Sequence, residues 1–162
     1  MQNAAANSCG EIVEHRRGDY VISSDRARVD LDAVHNFLTN CYWARGISRE
    51  LVARSIEHSL CFGIYGRKGE QVGFARVISD CATFAYIGDV FVLESHRGQG
   101  LSTWMMECIV QHPLLQNLRR WVLLTRDAHG LYSKFGFTTL AKPERYMELH
   151  RPDVYEGNRK TK

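Results

Sequence analysis

The chain has 162 residues, enough for one domain with an ordinary core. Hydrophobic residues make up 44% and charged residues 24%, a globular balance, and a formal charge of +3 on scattered basic residues gives no footprint for nucleic acid. No run is apolar enough to span a membrane, and Met1 to Gly10 lacks the apolar stretch of a secretory signal. Cys9, Cys41, Cys61, Cys81 and Cys108 form no CxxC pair and no Cys/His cluster with metal spacing. The expectation is therefore no metal, reduced thiols and a cytoplasmic setting.

Residues 1–18 are small, polar or charged and are expected to form a poorly ordered tail. One domain is expected over 19–152, followed by a short basic tail over 153–162. Tyr20-Val21-Ile22 starts a short strand. Asp30 can cap a helix carrying Leu31, Val34, Phe37 and Leu38 at helical spacing, and Ser48 opens a second from Arg49 to about His58. The period then changes. Leu60 to Tyr65 and Gln71 to Ile78 read as strands joined by a turn at Gly66 to Gly69, and Thr83 to Leu93 reads as a third, rich in aromatic and β-branched residues.

Helical spacing returns from Gln99 to Gln111, with Leu101, Trp104, Met105, Cys108 and Ile109 on one face and Pro113 as the stop. Trp121 to Leu124 is a continuous apolar run, as expected for a strand buried on both faces. Asp127 can cap a short helix over Ala128 to Lys134 that ends at Gly136. Phe137 to Leu140 and Tyr146 to Leu149 read as two closing strands. The order predicts an α/β (α+β) domain: a mixed, mainly antiparallel twisted sheet of six to seven strands with about four helices.

The informative junction lies between the third long strand and the helix after it, at Arg97-Gly98-Gln99-Gly100-Leu101-Ser102. A helix start presents unpaired N–H groups and partial positive charge, so it attracts an anion. Glycine lets the backbone approach a phosphate closely, Arg97 adds charge and Ser102 a hydroxyl. Spacing alone leaves an ordinary turn open. A Walker loop is excluded because Gly-Lys-Ser/Thr is absent, and the dinucleotide fingerprint because its third glycine position is Thr103.

His96 to Ser102 resembles the (Gln/Arg)-x-x-Gly-x-(Gly/Ala) motif of the GCN5-related N-acetyltransferase (GNAT) family. Ala128-His129-Gly130-Leu131-Tyr132-Ser133-Lys134-Phe135-Gly136-Phe137 is similar to that family's A-x-x-L-Y-x-K-x-G-F stretch. Ser102 departs from the usual Gly or Ala, with a small hydroxyl in its place. The resemblance implies acetyl-CoA as cofactor, with its pyrophosphate on Arg97, Gly98, Gln99, Gly100, Leu101 and Ser102. It implies a pantetheine arm pairing with the strand edge at Val90, Phe91 and Val92, and a strand there splayed from its parallel neighbour. Lys134 would approach the 3′-phosphate.

The same resemblance makes Tyr132 the general acid for the thiolate; spacing alone favours a tyrosine packing its ring in the core, and the matched motif context reverses that. Asp89, a carboxylate inside an apolar strand, is a candidate base, with a structural pair to a residue such as Arg76 equally open. The acceptor entrance would draw on the first two helices and the closing hairpin, through Trp43, Arg45, Phe84, Tyr86 and Tyr146, with Tyr42 beside them. The leading expectation is an N-acetyltransferase acting on a small-molecule amine. A protein or peptide acetyltransferase and a non-catalytic acyl-CoA sensor are the alternatives. No nucleic-acid or membrane partner is expected, and an exposed strand edge near the C-terminus could support a homodimer.

Overall fold

The computed structural model describes residues 12–155. Six strands form one sheet in the order β1-β2-β3-β4-β5-β6. They are β1 (Glu14–Arg17), β2 (Tyr20–Ser23), β3 (Leu60–Tyr65), β4 (Gln71–Ser79), β5 (Phe84–Val92) and β6 (Arg120–Leu123). Neighbours from β1 to β5 are antiparallel, and β5 and β6 are parallel. Four helices flank the sheet: α1 (Leu31–Leu38), α2 (Arg49–Glu57), α3 (Leu101–Val110) and α4 (His129–Tyr132). The mixed, mainly antiparallel architecture is as the sequence predicts.

Local chemistry explains the helix starts. Asp30 accepts from the N–H groups of Asp32 and Ala33, and Ser48 from that of Leu51. Two apolar cores lie on the two faces of the sheet. Val34, Leu38, Val52 and Ile56 from α1 and α2 close over Phe74 and Phe91. On the other face α3 lies across Phe62, Ile64, Val77, Ala85 and Val92 and buries Leu101, Trp104, Met105, Met106, Cys108 and Ile109. That is more than one face, because α3 is sunk between the sheet and the segments around β6.

Four local expectations need correction. Glu14–Arg17, inside the expected tail, is a strand paired with β2 from Glu14↔Ser23 to Arg17↔Tyr20. An exposed edge strand is held by its backbone and needs no apolar signature, so composition hides it. The rest of that tail, residues 1–11, lies outside the described residues. Phe137 to Leu140 and Tyr146 to Leu149 form no strands. Pro143 starts a 3-10 turn between them, and Met147 and Leu149 stay 98% and 85% exposed, so β propensity there meets no surface to bury against. Among the described residues β6 in consequence pairs only with β5, and it is half-buried, with Leu124 exposed beyond it. Finally, Asp127 does not cap α4, whose N-cap position is Ala128 with no side-chain cap; the Ala128 N–H donates to Thr125 Oγ1 at 3.0 Å, a local turn ahead of the helix.

Candidate active site

The segment between β5 and α3 makes one turn of 3-10 helix at Glu94–His96 and then the glycine loop. Gly98 and Gly100 both lie in the left-handed region, with φ of 77° and 71°. Its own chain neighbours aside, no atom of the described residues stands within 4 Å of where a Cβ of Gly98 would be, so the backbone conformation, not crowding, demands glycine there. From Gly98 to Thr103 the backbone N–H groups bond no acceptor among the described residues; the first that does is Trp104, to Gly100 O at 3.0 Å. A run of unbonded donors at the start of a ten-residue helix suits a diphosphate. Arg97 is exposed at the loop and is fixed by one bond. Its Nε donates to Val92 O at 3.1 Å and ties the loop to the end of β5.

Beside the loop the sheet opens. β5 and β6 pair from Phe84↔Arg120 to Ile87↔Leu123 and no further, so Gly88 to Val92 have no partner on that side. The register with β4 also shifts there: Gly88 faces Arg76 and Phe91 faces Phe74, leaving Asp89 and Val90 opposite Ala75 alone. This is a β-bulge, and Asp89 takes it with φ of 54°, a conformation that Asp tolerates better than most residues. Leu93 N–H donates to Val72 O at 2.8 Å, so by ladder alternation Val92 turns its polar backbone into the opening and Phe91 turns its own toward β4. Val90 and Val92 therefore edge the gap. Phe91 is turned away from it, and its ring stacks on Phe37 at 3.8 Å on the opposite face.

Tyr132 enters from α4. It is buried, with its ring edge-on to Phe137 at 6.0 Å, and its hydroxyl makes no hydrogen bond among the described residues. Burial pushes its phenol up to about 12, and the phenols of Tyr42 and Tyr86 add to the shift. Asp89 has no such freedom. Arg76 Nε donates to its Oδ2 at 2.5 Å and Trp43 Nε1 to its Oδ1 at 3.0 Å. The partner anticipated for it, Arg76, is the one it has.

Residues 57–139 match the profile of the acetyltransferase (GNAT) domain. A proposed acetyltransferase of Gibberella zeae is 33% identical over 140 residues, covering 73% of this chain and 78% of the relative. A crystal structure of a proposed GNAT-family acetyltransferase from Xanthomonas campestris pv. campestris superposes with a TM-score of 0.82 at 50% identity, over 84% of this chain and 96% of that one. The chain belongs to the GNAT acetyltransferase family. A more distant structure, a proposed acetyltransferase of Clostridium acetobutylicum with acetyl-CoA, shares the fold at 16% identity and a TM-score of 0.58, over 81% and 94% of the two chains.

Within this GNAT domain the expected acceptor residues divide. Trp43 and Tyr86 stand at the bulge: Trp43 through its bond to Asp89, Tyr86 with its ring along Gly88. Phe84 lies at the far end of β5, five residues and about 16 Å from Asp89 at strand rise. Tyr146 lies at that end too, beneath Arg120 at 5.6 Å, where it lines a cavity of about 510 Å³ with Leu118, Trp121 and Phe137. Arg45 and Lys134 are exposed and bond nothing among the described residues. Ser102 is half-buried at the start of α3, with its hydroxyl unbonded.

The structure adds Arg126, which the sequence did not single out, beside the expected Tyr42. Tyr42 packs edge-on to Trp43 at 4.9 Å, and the Arg126 guanidinium lies 4.0 Å over the Tyr42 ring, so the α1–α2 connection and the β6–α4 connection meet over the gap. A groove of about 330 Å³, lined by Ala33, Asn36, Phe37, Gln71, Phe91 and Leu93, runs along the same face. Among the described residues no cluster could hold a metal ion, and no helix is long and apolar enough to cross a membrane.

Proposed function

We propose that this GNAT protein transfers the acetyl group of acetyl-CoA to the primary amine of a small molecule by direct attack within a ternary complex. The observation that carries the reading is the unbonded donor run from Gly98 to Thr103, set at the mouth of the opening edged by Val90 and Val92. The residues fit the cofactor: donors for its pyrophosphate, and a strand edge with free polar groups for its pantetheine amides. Acetyl-CoA supplies the activated acetyl group. The bulge turns backbone groups of Val90 into the gap, where an N–H would stabilise a developing oxyanion; one such donor is typically worth about 3 kcal/mol. Val92 O is held by Arg97, so pantetheine pairing falls on the Val92 N–H and on Val90.

Tyr132 keeps its proton at neutral pH, which supports its giving a hydrogen bond to the departing sulfur in this reading. Both Asp89 oxygens already accept from N–H donors, which favours a positioning role: the carboxylate anchors Trp43 and Arg76, and the amine proton leaves through water at the mouth. The aromatic pair Tyr42–Trp43 beside Asp89 supports a small acceptor over a peptide. The free thiols of Cys41, Cys61, Cys81 and Cys108 are in keeping with a cytoplasmic setting, and the unpaired outer edge of β6 could serve a homodimer. Thiol release from acetyl-CoA is the test, measured across a panel of small amines and amine-bearing peptides. Amine-dependent release supports the reading. Tight binding with no release for any amine would make the protein a sensor.

A further inference from the structure

The glycine loop is braced from the far edge of the sheet. The β1–β2 hairpin turns at Gly18 and Asp19, which puts Arg17 and Tyr20 beside a loop about eighty positions along the chain. Arg17 Nη2 donates to Gln99 O at 3.3 Å, and its guanidinium lies over Trp104, 4.5 Å from the ring centroid. Tyr20 Oη bonds His96 Nδ1 at 2.9 Å and donates to Gln99 Oε1 at 3.3 Å. Gln99 Nε2 in turn donates to His96 O at 3.4 Å. Gln99 is thus held by main chain and side chain together, on the outside of the loop.

The peptide plane makes this consequential. In a trans peptide the C=O and the following N–H point in opposite directions. Holding Gln99 O toward Arg17 therefore aims the Gly100 N–H away from Arg17. Gly100, at φ of 71°, has no side chain to fix its plane, and its virtual Cβ would stand 3.9 Å from Arg17 Nη2. The Arg17 guanidinium is itself seated on Trp104, a residue of the helix whose start binds the anion. We infer that Arg17, with Tyr20, is a positioning residue that sets the direction of the loop's phosphate-binding donors without itself contacting the cofactor. This inference rests on the proposed acetyl-CoA site.

The test compares Arg17→Ala, Arg17→Lys and Tyr20→Phe with the wild type on three acetyl donors. Acetyl-CoA carries the pyrophosphate and the 3′-phosphate, acetyl-dephospho-CoA only the pyrophosphate, and S-acetylpantetheine neither. Expected for Arg17→Ala is a KM about tenfold higher on the first two donors, the scale of one charge-assisted hydrogen bond, with kcat within about twofold. The kcat/KM on S-acetylpantetheine stays at the wild-type value. Tyr20→Phe, which keeps its ring packing, follows the same pattern at a smaller size. Arg17→Lys keeps the charge but loses the planar donor and the stacking, and it recovers less than half of the loss.

Full rescue by lysine would reduce the effect to charge and overturn the inference. So would an unchanged KM in Arg17→Ala, an equal loss on S-acetylpantetheine, which marks general distortion, or a loss that vanishes with acetyl-dephospho-CoA, which marks a direct 3′-phosphate contact. Failure of the wild type itself to bind acetyl-CoA by calorimetry would overturn the proposed function instead.

Discussion

Replacing Tyr132 by Phe isolates one oxygen. The ring stays, so its packing against Phe137 is kept, and the lost hydroxyl has no hydrogen-bond partner among the described residues. The phenol lies at about 12. An ordinary thiol titrates near 8.5, so complete proton transfer from this phenol to a thiolate would be uphill by about 3.5 units, roughly 5 kcal/mol. In the proposed mechanism Tyr132 would therefore act through a hydrogen bond to the charged sulfur, worth about 1.5–3 kcal/mol. The expected fall in kcat is about 10- to 150-fold. The assay is thiol release at saturating acetyl-CoA and amine between about pH 6 and 9, paired with thermal melting. The folded-state value lies above the unbonded value of 10.0, so the stability from burying the neutral phenol is complete below pH 10 and is lost only as pH rises toward 12. Across the assay range melting should match the wild type, and no falling limb should arise from Tyr132. Undiminished kcat, or a loss that tracks a lower melting temperature, would refute the reasoning.

Asp89→Asn keeps a residue that tolerates a φ of 54° and can still accept from Trp43, but it removes the ion pair to Arg76. A stability loss of about 1.5–3 kcal/mol in urea and a kcat change of less than about tenfold are expected; a hundredfold fall in kcat at intact fold would make Asp89 the general base. Gly98→Val forces a β-branched residue to a φ of 77°, a strain of about 1–2 kcal/mol, and calorimetry should show acetyl-CoA binding weakened by about tenfold or more. Burial holds the Cys61 thiol and the Tyr65 phenol each up to about 12, against ordinary values of 9.0 and 10.0. Their contributions are complete below those ordinary values and lost above them, so stability should fall by about 2 kcal/mol for Cys61 alone between pH 9 and 10.5. Cys61→Ala should flatten that part of the curve, and denaturant midpoints across pH would expose the opposite trend.

Elements with strong local signals were legible. The caps at Asp30 and Ser48, the Gly66 to Gly69 turn and the glycine loop each carry their own chemistry over a few residues. Tyr132 was found through its surrounding motif, and the Asp89–Arg76 pair through the oddity of a carboxylate in an apolar strand. What escaped were contacts between distant segments. Nothing in Arg17 or Arg126 distinguishes them from a dozen other surface arginines until the hairpin and the β6–α4 connection carry them to Trp104 and Tyr42. The closing hairpin was misread for the opposite reason: its residues have β propensity, but pairing with β6 is a tertiary matter that propensity cannot settle.

The bulge at Asp89 also reverses the parity of β5. Before it, Ala85 and Ile87 look into the α3 core; after it, Val90 and Val92 do, and Phe91 joins the other core. Removing Asp89 alone would put Ala85, Ile87, Val90 and Val92 on a single alternation, each still facing the core it faces now. Such a shortened chain could keep both hydrophobic cores in a regular ladder with β4. It would lose the anchor of Trp43 and the turned backbone of Val90. The bulge is thus a one-residue insertion in a strand whose hydrophobic alternation is regular without it, and the residue that breaks the ladder returns stability through its pair with Arg76.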